Sequence, residues 1–436
     1  MNVFVASLGC SKNLVDSEYL LGALAQAGHS VVQAPDTAHL IIVNTCGFIS
    51  SAVEEAIHTI LELATLKKEG VCQQLIVFGC LVQRYGADLV TELPEVDFFT
   101  GVGAINEVMA SLAKETKKFQ PIFPAQVPLC TSAQPRASFV SPTAYIKISE
   151  GCDRHCTYCI IPKLRGPQRS RDMADILKEA RQLVENGAQE LVLVAQETTA
   201  WGNDLPPKNS FAVLLEKLAT QEPDVWIRFL YGHPQSVTAK LIEVIQKYDP
   251  ICSYFDIPIQ HASNTVLKRM GRNETQADLR ALFQNIRCHI PNAVLRTTVI
   301  VGFPGETQKE AKDLLGFIKE IQFDHLGAFL YSPEVDLPSF HLPNPVSVQT
   351  AKRRYARVME IQQEIAAQKN QFYGEKTISV LLEEQIDPVT FAGRSQFQAP
   401  EVDGEILVTG EKMHVGDRIS VQITETHPYD LEGIKV

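Results

Sequence analysis

The octapeptide Cys152-Asp153-Arg154-His155-Cys156-Thr157-Tyr158-Cys159 carries three cysteines spaced C-x3-C-x2-C. A loop that short can turn three thiolates toward one face of an iron–sulfur cubane, for which thiolate is the preferred ligand. Three protein ligands leave the fourth iron open to bind something else. That arrangement suits catalysis, because a cluster that only carries electrons usually has every iron ligated by cysteine. Zinc is the competing reading, with His155 as a fourth ligand, but structural zinc sites more often pair two C-x2-C units.

A second set of thiols is dispersed. Cys10, Cys46 and Cys80 each follow a short β-branched run: Val3–Ser7, Leu40–Asn44 and Gln74–Gly79. Such runs read as buried parallel strands, and open α/β sheets bind ligands at the carboxyl ends of their strands. Gly9 and Gly47 lie beside two of the thiols, where a missing side chain lets backbone approach a ligand. From spacing alone two readings stand together: a second three-thiolate cluster, or three small buried hydrophobes. Cys72, Cys130, Cys252 and Cys288 have no partner pattern and read as ordinary thiols.

These residues need a scaffold to position them. Residues 1–135 alternate strands with helical patterns at Leu14–Ala27, Ser50–Lys67 and Leu81–Leu89, which predicts a doubly wound α/β domain. Residues 138–370 continue with a longer period. Six strands are expected at Ala144–Ser149, Glu190–Gln196, Trp226–Tyr231, Tyr254–Gln260, Val294–Gly302 and His325–Ser332, with helices between them, which predicts a partial (β/α) barrel. Polar groups close several of these strands: Gln196-Glu197, His233-Pro234, Gln260-His261, Gly302 to Glu306, and Ser332-Pro333-Glu334. A barrel mouth furnished in this way fits an adenosine ligand. An amphipathic helix at Val348–Phe372 has a basic face that is most simply solvated. Residues 373–436 then switch to strand alternation, which predicts a small antiparallel β-barrel of about five strands.

Composition sets outer bounds. The chain has 436 residues, 45% hydrophobic and 21% charged, as in a globular protein of two or three domains. No apolar run is long enough to span a bilayer, Met1–Leu8 has no basic lead-in, and the cysteine usage suits a reducing cytoplasm; no membrane association is expected. The formal net charge of −11 argues against a nucleic-acid partner.

The C-x3-C-x2-C spacing is similar to that of the radical S-adenosylmethionine (SAM) enzymes. The whole chain resembles their methylthiotransferase family, with three N-terminal cysteines after strands, then the C-x3-C-x2-C loop, then a β tail like a TRAM domain. Local matches are Tyr145-Ile146-Lys147-Ile148-Ser149-Glu150-Gly151-Cys152, Arg165-Gly166 with Ser170-Arg171, Asp256-Ile257-Pro258-Ile259-Gln260-His261, and Gly302-Phe303-Pro304-Gly305-Glu306-Thr307. The resemblance implies two 4Fe-4S clusters. The cluster on Cys152, Cys156 and Cys159 would bind SAM and cleave it to a 5′-deoxyadenosyl radical; these three are the expected catalytic cysteines. The cluster on Cys10, Cys46 and Cys80 would carry the sulfur, with the target group between the two domains. Glu197 would take the SAM amino group and Gly302 would allow close approach of the adenine, with Gln196 and Ser332 on the same rim.

Substrate choice divides the family between tRNA adenosine and an aspartate of ribosomal protein S-twelve. Residues 373–436 hold twelve acidic and five basic residues, a net of −7. An RNA-binding module should be basic, whereas an acidic one suits a very basic protein. The segment 393–404 also resembles the ribosomal-protein branch. The expectation is therefore methylthiolation at the β-carbon of that aspartate, in the free protein or the small subunit, with a reducing electron donor and a sulfur donor. The alternatives are a tRNA adenosine methylthiotransferase, a non-catalytic iron–sulfur assembly module, and a radical SAM enzyme whose N-terminal cluster only relays electrons.

Overall fold

In the computed structural model, residues 1–112, 123–124, 126–137, 142–206 and 209–436 are described. The expected barrel start at Ser138 lies outside them. Strands β1 (Asn2–Ser7), β2 (Ser30–Val31), β3 (Leu40–Thr45), β4 (Gln74–Gly79) and β5 (Phe98–Thr100) form a parallel sheet in the order β2-β1-β3-β4-β5. The helices between and after them are α1 (Ser11–Gln26), α2 (Ser50–Lys68), α3 (Cys80–Glu92) and α4 (Ile105–Leu112). Every residue of β3 is buried, which is why its sequence is continuously apolar up to Asn44. Ile41, Val43, Leu75 and Val77 pack with Ala56, Ile60 and Leu63 of α2 and with Leu81 and Leu89 of α3. The chain leaves β1 toward β2 on one side and returns to β3 on the other. Right-handed crossovers then put α1 on the face opposite α2 and α3. That reversal makes the gap between β1 and β3 the topological switch point, where such sheets bind ligands. The sequence reading missed β2 and β5 because strands of two and three residues are too short to show a period.

The expected partial barrel follows. After β6 (Thr143–Lys147) comes the short antiparallel pair β7 (Ser149–Glu150) and β8 (Arg169–Ser170), then β9 (Glu190–Val194), β10 (Trp226–Phe229), β11 (Tyr254–Asp256), β12 (Val294–Val301) and β13 (His325–Leu330). The sheets run β10-β9-β6 and β11-β12-β13. A parallel bridge from Ile227 to Ile251 and a hydrogen bond from Gly232 N–H to Asp256 O (2.9 Å) join their neighbouring edges. The helices are α5 (Ile161–Arg165), α6 (Met173–Glu185), α7 (Phe211–Gln221), α8 (Ala239–Lys247), α9 (Asn264–Arg269), α10 (Gln276–His289), α11 (Gln308–Ile321) and α12 (Val348–Asn370). Hydroxyl caps start five of them: Ser210, Thr238, Thr275, Thr307 and Ser347 each accept from a first-turn N–H, with full capping boxes at Thr275 and Thr307. No helix among the described residues is long and apolar enough to cross a membrane.

The C-terminal strands β14 (Thr377–Gln385), β15 (Thr390–Arg394), β16 (Ile406–Thr409), β17 (Arg418–Thr426) and β18 (Leu431–Lys435) close in the order β14-β15-β16-β18-β17. Neighbours in a closed ring of five cannot all be antiparallel; β16 and β18 supply the parallel pair.

Compactness does not follow chain order. One unit comprises Met1–Phe139, Lys147–His155 and Cys159–Ile176; the other comprises Val140–Ile146, Cys156–Tyr158 and Leu177–Val436. Within the second unit, buried charges join the small barrel to the larger one. Arg394 of β15 pairs with Glu190 of β9 (2.6 Å) and with Glu383 (2.6 Å). Arg228 of β10 pairs with the same Glu190 (2.7 Å) and donates to Gln396 O (3.0 Å). Asp403 accepts from Tyr254 Oη (2.5 Å) and pairs with Arg296 (3.3 Å). The segment 393–404 is thus an anchor.

Burial alone would raise the Glu190 carboxyl, but Arg394 and Arg228 outweigh it and hold it at about 2. Its stabilisation is therefore complete above its ordinary value of 4.5 and is lost as pH falls toward 2. Glu190→Gln leaves two buried guanidiniums without their shared counter-charge and should cost about 3–5 kcal/mol at neutral pH. Urea unfolding across pH 2–7 should also show a shallower acid slope in this variant.

Candidate metal centres and barrel rim

The three dispersed cysteines all sit at carboxyl ends of strands, two of them flanking the switch point. Cys10 is the N-cap of α1, Cys46 follows β3, and Cys80 opens α3 directly after Gly79, whose φ is +107°. The structure brings their loops together. A Cβ on Gly9 would lie 2.8 Å from Cys46 Cβ and 3.3 Å from its Sγ; one on Gly47 would lie 2.9 Å from the Cys80 carbonyl. Unlike the five hydroxyl-capped helices of the larger barrel, α1, α2 and α3 begin without a side-chain cap. Their positive ends, at one edge of the sheet, favour anionic sulfur.

A set of buried charges lies behind these thiols. Lys147 Nζ pairs with Asp16 Oδ1 and with Glu150 Oε2 (2.8 Å). Arg165 Nη1 donates to Glu150 Oε1 (2.8 Å), with Asp16 Oδ2 at 3.8 Å; its Nη2 donates to Asn13 Oδ1 (2.8 Å) and to Cys80 Sγ (3.4 Å). All four charged side chains are 2% exposed or less. Burial raises the Cys10 thiol, but Lys12 and Arg165 outweigh it, so its pKa falls. Burial pushes Cys46 up to about 11 and also raises Cys80, against the pull of Arg165. Cys10 is therefore the thiol most ready to ionise, and metal binding would displace protons from the other two.

Cys152, Cys156 and Cys159 occupy the irregular loop between β7 and α5, and all three are partly exposed. Gly151 (φ +82°) starts the loop so close to Pro167 O, 2.1 Å from a built Cβ, that no other residue fits. Cys152 N–H donates to Gly166 O (3.1 Å) and Gln168 N–H to Asp153 Oδ1 (2.9 Å), closing the loop's base. In the second unit, Thr157 N–H and Oγ1 donate to Met270 O (3.0 Å) and Arg269 O (2.8 Å). Arg272, itself buried, lies beside Cys156 and donates to Tyr158 Oη (3.4 Å).

On the barrel rim, Tyr231 (φ +63°), two residues past β10, and Gln260 (φ +66°), four past β11, are non-glycine residues in the left-handed region, strain of the kind that gathers at binding sites. Glu197 is buried at the end of β9, beside half-buried Gln196, and accepts from Ser236 Oγ (2.5 Å). Ser332 Oγ donates to Glu334 Oε1 (2.6 Å). Gly302 (φ +78°) donates its N–H to Glu306 Oε2 (2.5 Å), and a Cβ there would lie 2.5 Å from Ala351 Cβ; the close neighbour it accommodates is α12. Glu306 also holds Arg354 (3.2 Å), and its Oε1 faces buried His261 Nε2 at 3.7 Å.

The sequence reading assigned no role to Asn13, Asp16, Lys147, Glu150, Arg165 or Arg272. Asp16 and Arg165 are too far apart in the chain for any spacing to connect them. Both cysteine sets have the all-thiolate donor chemistry of iron–sulfur clusters, with glycines at the points of closest approach.

Three family models match the chain: the uncharacterized protein family UPF0004 over residues 2–101, the radical SAM superfamily over 146–318, and the TRAM domain over 376–436. Among curated relatives, a ribosomal protein uS12 methylthiotransferase RimO of Desulfosudis oleivorans is 51% identical over 99% of both chains. A protein of the same name from Clostridioides difficile is 47% identical over 99% of this chain and 98% of its own. Among solved structures, the radical SAM methyltransferase TsrM of Kitasatospora setae superposes with a TM-score of 0.55 at 14% identity, over 76% of this chain and 74% of its own. At that identity the likeness is one of fold.

Gly47→Ala tests the convergence of the dispersed set, because its Cβ must displace Cys80. Anaerobically reconstituted Gly47→Ala should bind about half the iron and sulfide of the parent, with an unchanged far-ultraviolet circular dichroism spectrum. Full iron content would count against convergence at a metal.

Proposed function

This chain belongs to the ribosomal protein uS12 methylthiotransferases, a radical SAM family, and on that premise we propose how its residues divide the reaction. Cys152, Cys156 and Cys159 hold a 4Fe-4S cluster that binds SAM; Cys10, Cys46 and Cys80 hold a second. When bound, these groups supply the carbon-centred radical and the methylated sulfur. The second assignment is supported most by the convergence of three uncapped helix starts and their cysteine loops at the sheet's switch point.

The protein's own part is to bind and orient. Glu197, Gln196, Gly302 and Ser332 border the SAM position on the rim. Hydrogen-atom abstraction moves proton and electron together, so no general acid–base pair is assigned. Residues 1–135 carry the sulfur-donating cluster, 138–370 the radical chemistry and 373–436 the substrate contact.

The substrate is uS12, modified at the β-carbon of an aspartate. Eight of the twelve acidic residues in 373–436 and three of the five basic ones are exposed, with Arg394 buried in the anchor and Lys435 half-buried, so the exposed charges are predominantly acidic. Such a surface attracts a basic ribosomal protein and repels tRNA phosphates. A reducing electron donor and a sulfur donor complete the balance, and a ribosomal substrate places the enzyme in the cytoplasm.

Anaerobic turnover with SAM and reductant, read by mass spectrometry, should add a methylthio group to an aspartate of uS12 and none to tRNA. Cys156→Ala should abolish both SAM cleavage and the mass gain; Cys10→Ala should abolish the gain while cleavage persists. Binding of uS12 should weaken as salt rises. Methylthiolation of tRNA would overturn the substrate assignment.

A further inference from the structure

We propose that Arg165 is a positioning residue that donates a charged hydrogen bond to a cluster-ligating sulfur and so tunes the N-terminal cluster. The proposal rests on the reading that Cys10, Cys46 and Cys80 hold that cluster. The guanidinium reaches Cys80 Sγ at 3.4 Å and Asn13 Oδ1 at 2.8 Å through the same Nη2. Asn13 in turn donates from Nδ2 to Leu8 O (2.9 Å) and Thr45 O (3.1 Å). Leu8 lies two residues before Cys10, and Thr45 immediately precedes Cys46. One guanidinium–amide pair therefore touches the loops of all three cysteines.

The same guanidinium belongs to the other cysteine loop. Arg165 ends α5, six residues after Cys159, and its Nη1 binds Glu150, two residues before Cys152. These residues share one compact unit, so Arg165 ties the Cys80 loop to the strand that leads into the radical-SAM loop. A planar, permanently charged fork can make all three contacts at once; a lysine cannot.

A core ion pair would not need its donor aimed at sulfur. Lys147 already offers Asp16 and Glu150 a cation, and the four charges sum to zero. The remaining Nη2 donors are spent on Asn13 and Cys80. Hydrogen bonds and positive charge at a ligating sulfur favour the more negative, reduced cluster and raise its potential.

The test uses the full chain carrying Cys156→Ala, so that bound iron belongs to the N-terminal set. Redox titrations followed by electron paramagnetic resonance compare that parent with Arg165→Lys and Arg165→Met. The expected result is a potential shifted negative in Arg165→Met and partly restored in Arg165→Lys, with iron release to a chelator about tenfold faster in Arg165→Met. Should Arg165→Met not fold, the lysine variant decides, because it keeps the charge but loses the fork; its potential should still fall. Unchanged potentials in folded variants would reduce Arg165 to a core ion pair. A Cys156→Ala parent that binds no iron would overturn the cluster reading and this proposal with it.

Discussion

Four buried charges, Asp16, Lys147, Glu150 and Arg165, set the terms for the unit of this molecule that carries the dispersed cysteines. None can be solvated where it lies, so each must be matched by another, and removing any one strands its partners at a cost of several kcal/mol. That requirement is met across very different parts of the chain. Asp16 rides on the first helix of the N-terminal sheet, while Lys147 and Glu150 flank the start of the C-x3-C-x2-C loop. Satisfying the charges fixes one cysteine loop against the elements that carry the other three thiols. Burial pressing Glu150 upward is outweighed by Arg165 and Lys147, which hold its carboxyl at about 2 and keep the set ionised at neutral pH.

Helix starts show how local sequence and chemistry trade places. Five helices of the larger barrel have a serine or threonine that satisfies a first-turn N–H group. Near the dispersed cysteines the side-chain caps are missing at α1, α2 and α3, whose N-caps are Cys10, Ile49 and Gly79. Helix starts left without a side-chain cap favour an anionic neighbour.

The C-terminal barrel makes a comparable exchange. Its net charge of −7 looks in sequence like a uniform property of its surface. In the fold, Asp403 and Glu383 turn inward to Arg296 and Arg394, and Glu190 of the larger barrel receives Arg394 and Arg228. Binding the barrel in place takes Asp403 and Glu383 as well as Arg394 out of the surface, and the exposed charges stay predominantly acidic, eight to three.

The sequence by itself determined the class of fold and most element positions, and singled out six cysteines by their spacing and their places after strands. Those features are written in local periodicity, in Gly-Cys pairs after apolar runs, and in a spacing of three and two residues. The expected bounds of α1, α2, α3 and α12 differ from the observed ones by a few residues at most, because amphipathic stripes are local signals, whereas the short helices α4, α5 and α9 had no such signal. Tertiary structure alone decided that Cys10, Cys46 and Cys80 meet, since their separation in the chain says nothing about convergence until the strand order reverses between β1 and β3. It also decided the partners of Arg165. A buried charge is neutralised by whatever the fold brings within a few ångströms, and no periodicity or spacing records that choice.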